Sequence, residues 1–356
     1  MTIQSLRQVL SLLPTRATTG IGSLPHTQQE LALQMALQAD IPYLPQLPVG
    51  HPSEFMIASA LEGVPGLSYD AEGMCSVDLT AWRAGFPEFT ARLERALTRA
   101  DSARDFEPSP EACRSWKPFL WEVENRKLAF AKVQIAGPFT VRWVARTEDG
   151  QALAQTPEMD QAIFRLLLAK SLAMVKALRQ VNVTPLFFLD EPGLYALDTR
   201  DARHVLAMQE LKLLATALQR EGALVGLHCC SNTDWGNVLS LGFNLLSLDV
   251  RLSLDAVLDD ARALKSFLDG GGAFSFGIVP TNLDATFRIE ELVDAVETAL
   301  QSTLPKKRAE EVLSRSLLTP ACGLAMRSVV DAEQIVVQLK EAQRLLKKGD
   351  RLLFPE

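Results

Sequence analysis

The 356-residue sequence predicts an α/β fold, a single (β/α)8 barrel spanning residues 1–356. Eight short apolar segments alternate with stretches of helical periodicity along the whole chain. They cover residues 18–24, 41–44, 132–137, 185–189, 224–227, 244–248, 273–278 and 316–319. Most are nearly continuous in apolar residues, as in parallel strands covered on both faces. The open doubly wound alternative usually carries G-x-G-x-x-G after its first strand. Here that strand ends in Gly20-Ile21-Gly22-Ser23-Leu24-Pro25, with no third glycine and with proline where a helix would start.

The helices carry their own signals. Thr156-Pro157 reads as a cap with proline at the first helical position, and Phe164, Leu167, Leu168, Leu172, Val175 and Leu178 follow on one stripe. A helix is expected from Asp201 to Arg220, ended by Gly222, another over Arg288 to Leu300, and a last one from Asp331 to a point before Gly349. The stretch from Ala100 to Arg126, with three prolines and two tryptophans, reads as a long excursion between strands: a lid, an oligomer contact or surface packing.

Apolar residues make up 47% and charged residues 22%, the balance of a globular chain with ample core. The formal net charge of −7 argues against nucleic acid or an anionic membrane as partner. Neither a signal peptide nor a membrane-spanning run is evident, so the cytoplasm is the expected compartment. Five cysteines, an odd number, do not suggest a disulfide framework.

In such a barrel the working residues sit where strands end. The fourth predicted strand runs into Asp190-Glu191-Pro192, the fifth into His228-Cys229-Cys230, the sixth into Asp249 and the eighth into Pro320-Ala321-Cys322. Residues i and i+2 of a strand leave on the same side, so His228 and Cys230 face one point and Cys229 faces away. Cys322 reaches the same mouth from another strand, and Asp249 is a candidate fourth ligand or a helix cap. Imidazole, thiolate and carboxylate together suit zinc.

These residues also fall into a pattern. Ile21-Gly22-Ser23-Leu24-Pro25, Gly137-Pro138-Phe139-Thr140, Leu189-Asp190-Glu191-Pro192, His228-x-Cys230 and Pro320-Ala321-Cys322-Gly323-Leu324 occur in that order. In this the chain resembles the C-terminal catalytic half of cobalamin-independent methionine synthases, within the barrel group that includes uroporphyrinogen decarboxylase. The resemblance implies one zinc on His228, Cys230 and Cys322, with Asp249 in place of the family's glutamate. It implies homocysteine as thiol substrate, its ammonium on Asp190 and its carboxylate at Ile21, Gly22 and Ser23. Glu54 is a further candidate contact, or a plain first-turn glutamate. Asp190-Glu191 reads alternatively as a turn with solvated carboxylates, and Ser23 as a simple cap.

The departures concern the methyl donor. No counterpart of the family's second, N-terminal barrel is expected, Ala196 stands where a folate-contacting glutamate is expected, and Phe276 to Thr281 contains no histidine for proton transfer. Trp143 stands one register position from the family's folate-side tryptophan. His26, a rival proton donor, reads more simply as a surface or capping residue, and no protein general acid is identified. Tetrahydrofolate needs protonation as it leaves, so methylcobalamin, free or on a corrinoid protein, is the expected donor. Two alternatives stay open: another small thiol such as coenzyme M, and a non-catalytic zinc- or corrinoid-binding protein.

Overall fold

The computed structural model describes residues 3–99, 102–282 and 287–353. Strands are numbered in chain order: β1 (Ala17–Thr18), β2 (Leu67–Tyr69), β3 (Cys75–Val77), β4 (Phe130–Ala136), β5 (Arg146–Thr147), β6 (Thr184–Asp190), β7 (Leu224–Cys229), β8 (Leu245–Asp249), β9 (Ala273–Val279) and β10 (Leu317–Pro320). Seven pair in parallel in the order β1-β10-β9-β8-β7-β6-β4, curled into a barrel wall surrounded by helices.

The eighth position is held by residues 41–46 without a regular strand. Ile41 N–H donates to Thr18 O at 3.0 Å and Leu44 N–H to Lys132 O at 2.9 Å, so this segment bonds to both edges of the sheet. Isolated bridges join Tyr43 to Lys132 and Gln46 to Ser23. The predicted second strand is thus reduced to bridges, and the predicted first strand shortens to β1 followed by an irregular run. Pro42 and Pro45 offer no N–H to a ladder, and in the first segment Gly22, at φ +149°, leaves the regular strand conformation.

The barrel interior is layered. At the N-terminal ends of the strands, Ala17, Ile41, Leu186, Leu224, Leu245 and Leu317 pack with Leu10 and Leu13, so the helix Ile3–Leu10 and the turn after it close that end. One residue pair further up, Gly226 leaves room for the Phe188 ring, which a Cβ there would meet at 2.4 Å. Lys132 and Gln134, both buried, form a polar layer above it, with the Lys132 Nζ 4.9 Å from the Phe188 ring centre.

The expected helices are present as Pro157–Gln180, Ala202–Arg220, Ile289–Thr303 and Val329–Leu353, the last running through Gly349. Asp201 caps the second of these by accepting the Arg203 N–H at 2.8 Å. Within the excursion, a 3-10 turn over Ser102–Phe106 packs against the helices Leu79–Thr98 and Pro157–Gln180. A helix Trp116–Asn125 follows, burying Trp116, Phe119 and Val123. The described residues of this stretch pack on neighbouring helices and, through Arg114, reach Glu54; Ala100 and Asp101 lie outside the described residues. A small outer sheet, β2-β3-β5, was not anticipated because strands of two or three residues carry no readable periodicity. Among the described residues, no helix is long and apolar enough to cross a membrane.

Candidate metal centre and substrate cleft

Parallel register sets the site. Asp190 on β6 pairs with His228 on β7, and His228 with Ser247 on β8, so three polar side chains stand in one row near the strands' C-terminal ends. Cys230 follows β7 directly, and Cys322 follows β10. Its loop is tied back to the first segment, with Leu324 N–H donating to Ser23 O at 2.9 Å. Ligand atoms of His228, Cys230 and Cys322 lie within 4.8 Å of one another.

The donor set fits a metal ion. His228 Nδ1 lies 2.9 Å from Ser247 Oγ, while its Nε2 is buried with no hydrogen-bond partner. A buried ring nitrogen left without a partner is costly unless something accepts its lone pair. A hydrogen bond from Cys230 draws the Cys322 thiol well below the ordinary thiol range, with the neighbouring His228 adding to it. The same bond, together with burial, pushes Cys230 up. One imidazole and two sulfurs in this spacing suit zinc. Cys229, as its strand parity requires, is buried away from the cluster, its Sγ against Ser231 O at 3.3 Å.

Asp249 stands apart from these three. Its carboxylate accepts the Arg251 N–H at 2.9 Å and caps the helix Val250–Asp259. Burial raises its pKa.

The cluster opens into a cleft enclosing about 780 Å³, including its mouth. Ile21, Ser23, Gln46, Glu54 and Asp190 contribute to its lining along with His228, Cys230 and Cys322, and Phe55 and Met56 give it an apolar side. Asp190 Oδ1 is buried without a partner, and burial pushes its carboxyl up to about 6 against the pull of Lys132. Glu191 is also buried, so the two carboxylates are not solvated. It accepts the Phe139 and Thr140 N–H groups at 2.9 and 2.6 Å and the Thr140 hydroxyl, bracing β6 against the turn after β4.

Glu54 lines the cleft, but both carboxylate oxygens are engaged. Oε1 accepts from Arg114 Nε at 2.6 Å and Oε2 from Leu47 N–H at 2.8 Å. It is therefore neither a solvated first-turn residue nor a free acceptor, and it shows what the excursion supplies through Arg114. Gly22 takes φ +149°, and a Cβ there would fall 2.3 Å from Gln134 Nε2. His26 is buried, not at the surface, and burial lowers its pKa. Trp143 stacks on Phe139 at 4.7 Å and meets His204 edge-on, a packing arrangement. Lys132, Gln134 and Gln46 were not anticipated. A lysine at the start of an apolar run reads as a strand end, whereas here it lies inside the barrel.

No protein-family description and no curated protein matches the chain. Among solved structures, a methyltransferase from Methanosarcina mazei aligns over 92% of this chain and 94% of its own, at TM-score 0.53 and 15% identity. A B12-independent methionine synthase from a Shewanella species, in complex with selenomethionine, aligns over 65% of this chain and 67% of its own, at TM-score 0.47 and 12% identity. The first of these is a likeness of fold.

Proposed function

We propose that the chain is a zinc-dependent S-methyltransferase that methylates the thiol of homocysteine to give methionine. The observation that carries this is the convergence of His228, Cys230 and Cys322 in a cleft, with the buried His228 Nε2 left unpaired. Zinc held there would keep a substrate sulfur as thiolate at neutral pH, where a free thiol of pKa near 8.5 is mostly protonated. Ser247 Oγ engages Nδ1 of the imidazole, which would leave Nε2 free to hold the zinc. Asp190, with an unpaired oxygen, receives the substrate ammonium, and Ser23 and its neighbouring amides receive the carboxylate. Asp249 is proposed as a fourth ligand only if its side chain leaves the helix cap.

An amino thiol suits this cleft better than a sulfonate thiol such as coenzyme M. Among the described residues no lysine or arginine lines it, so a sulfonate would meet Asp190 with no cation beside it. The proposed donor is methylcobalamin, free or on a corrinoid protein, which departs without a proton. Supporting this, Ala196 sits in the short turn Pro192–Ala196 where the folate-binding glutamate is expected, and β9 ends without a histidine.

Metal analysis of purified protein is expected to find about one zinc per chain, lost in Cys230→Ser and in Cys322→Ser. Full occupancy in both variants would sink the site. Methionine formation from homocysteine is expected with methylcobalamin; turnover with methyltetrahydrofolate alone would refute the donor assignment.

A further inference from the structure

We infer that Gln46 is a substrate-binding residue whose carboxamide N–H receives the substrate carboxylate, its orientation set by the buried Lys132. This rests on the proposed amino-thiol reading of the cleft. Lys132 Nζ can only donate as an ammonium, and it donates to Ile21 O at 2.5 Å and to Gln134 Oε1 at 3.1 Å. Gln134 must therefore turn its NH2 group away. It donates to Leu44 O at 2.9 Å and to Gln46 Oε1 at 3.1 Å, so both its hydrogens are used and two separate acceptors agree on its orientation.

That leaves Gln46 one possible polarity. Its oxygen is taken by Gln134, and its Nε2 has no acceptor among the described residues. Gln46 is one of the residues lining the cleft that holds His228, Cys230 and Cys322, and it also borders a smaller pocket shared with Gln134 and Lys170. Amide orientation is ordinarily ambiguous, but a cation at the far end of the chain of bonds removes the ambiguity. Gln46 also stands beside the carboxylate site proposed above. It bridges Ser23 in the backbone, its N–H donating to Gly22 O at 3.1 Å and its O accepting from Leu24 N–H at 2.9 Å. The glycine at position 22 is what lets the Gln134 amide pass beneath this turn.

The consequence is a cleft that binds an anion with a neutral donor. The positive charge is that of the buried Lys132, which polarises the two amides and also pulls on Asp190. Charge-assisted hydrogen bonds of this kind change affinity by roughly ten- to a hundredfold.

Calorimetric binding to zinc-loaded protein tests this, with homocysteine and its decarboxylated analogue as the two probes. Wild type is expected to prefer homocysteine by at least about tenfold. Gln46→Glu keeps the acceptor for Gln134 and replaces only the free NH2 by oxygen, so it is expected to reverse the preference with zinc content unchanged. Lys132→Met is expected to weaken it, because Gln134 then loses the partner that orients its oxygen. Equal binding of both probes by wild type, or an unaltered preference in Gln46→Glu, overturns the role of Gln46 while leaving the thiol reading intact. An unaltered preference in Lys132→Met overturns the relay. Binding of neither probe means the amino-thiol reading has failed, and this inference with it.

Discussion

His228 shows how one hydroxyl prepares a ligand. Nδ1 lies 2.9 Å from Ser247 Oγ, so a ring bound to zinc through Nε2 would carry its proton on Nδ1 and donate it to that hydroxyl. Ser247→Ala is expected to weaken zinc affinity roughly ten- to a hundredfold, measured by competition with a chromophoric chelator, with little change in fold. Lys132 makes the opposite kind of contribution. Burial depresses its pKa from 10.5 to about 8, so between those values the unfolded chain binds a proton that the folded one does not. Stability should therefore rise with pH across that window, recovering on the order of 3 kcal/mol, and be flat below it. Urea unfolding of wild type against Lys132→Met is expected to show this rise in the wild type alone. The two residues differ in how readable they were. His228-x-Cys230 declares itself through strand parity, whereas a lysine beside an apolar run says nothing about which side of a barrel wall it faces.

At the scale of elements, the helices around the site are held by a buried cation. Arg142, almost fully enclosed, meets Asp160 at 2.8 Å and Glu210 at 2.6 Å, joining the helices Pro138–Val144, Pro157–Gln180 and Ala202–Arg220. Its Nε also donates to Pro138 O at 2.9 Å. Removing one partner of a buried pair leaves the others uncompensated, so Arg142→Ala should cost about 3–5 kcal/mol in denaturant unfolding. Lysine, a point charge without the planar fork, should not restore it. The excursion acts at this scale too, carrying Arg114 to Glu54. Its prolines mark it as irregular in sequence, but the target of Arg114 lies 60 positions away and is invisible locally.

Across the whole molecule, the proposed zinc site would join the loop after β7 to the loop after β10, which is itself bonded to the first segment. A ligand that binds only the folded chain stabilises it by mass action, about 3–4 kcal/mol at a hundred to a thousand times its dissociation constant. Stripping zinc with a chelator is therefore expected to lower the thermal midpoint by several degrees, and stoichiometric zinc to restore it. An unchanged midpoint in the stripped protein would mean that the cluster does not hold the metal in the folded state.

Apolar runs and side-chain alternation are local properties of the chain, so the barrel, most of its strands, the three candidate ligands and Asp190 are legible in the sequence. The folded structure was needed to show how the ring closes at residues 41–46, where Pro42 and Pro45 deny the segment a regular ladder. It also decided that Asp249 caps a helix, that Glu54 is held by Arg114, that His26 is buried, and which way the Gln46 amide points. Apart from the Asp249 cap, whose partner is two residues on, these depend on what a side chain meets across the barrel. A hydrogen bond takes its direction from both ends, and for Gln46 the second end lies 88 residues away.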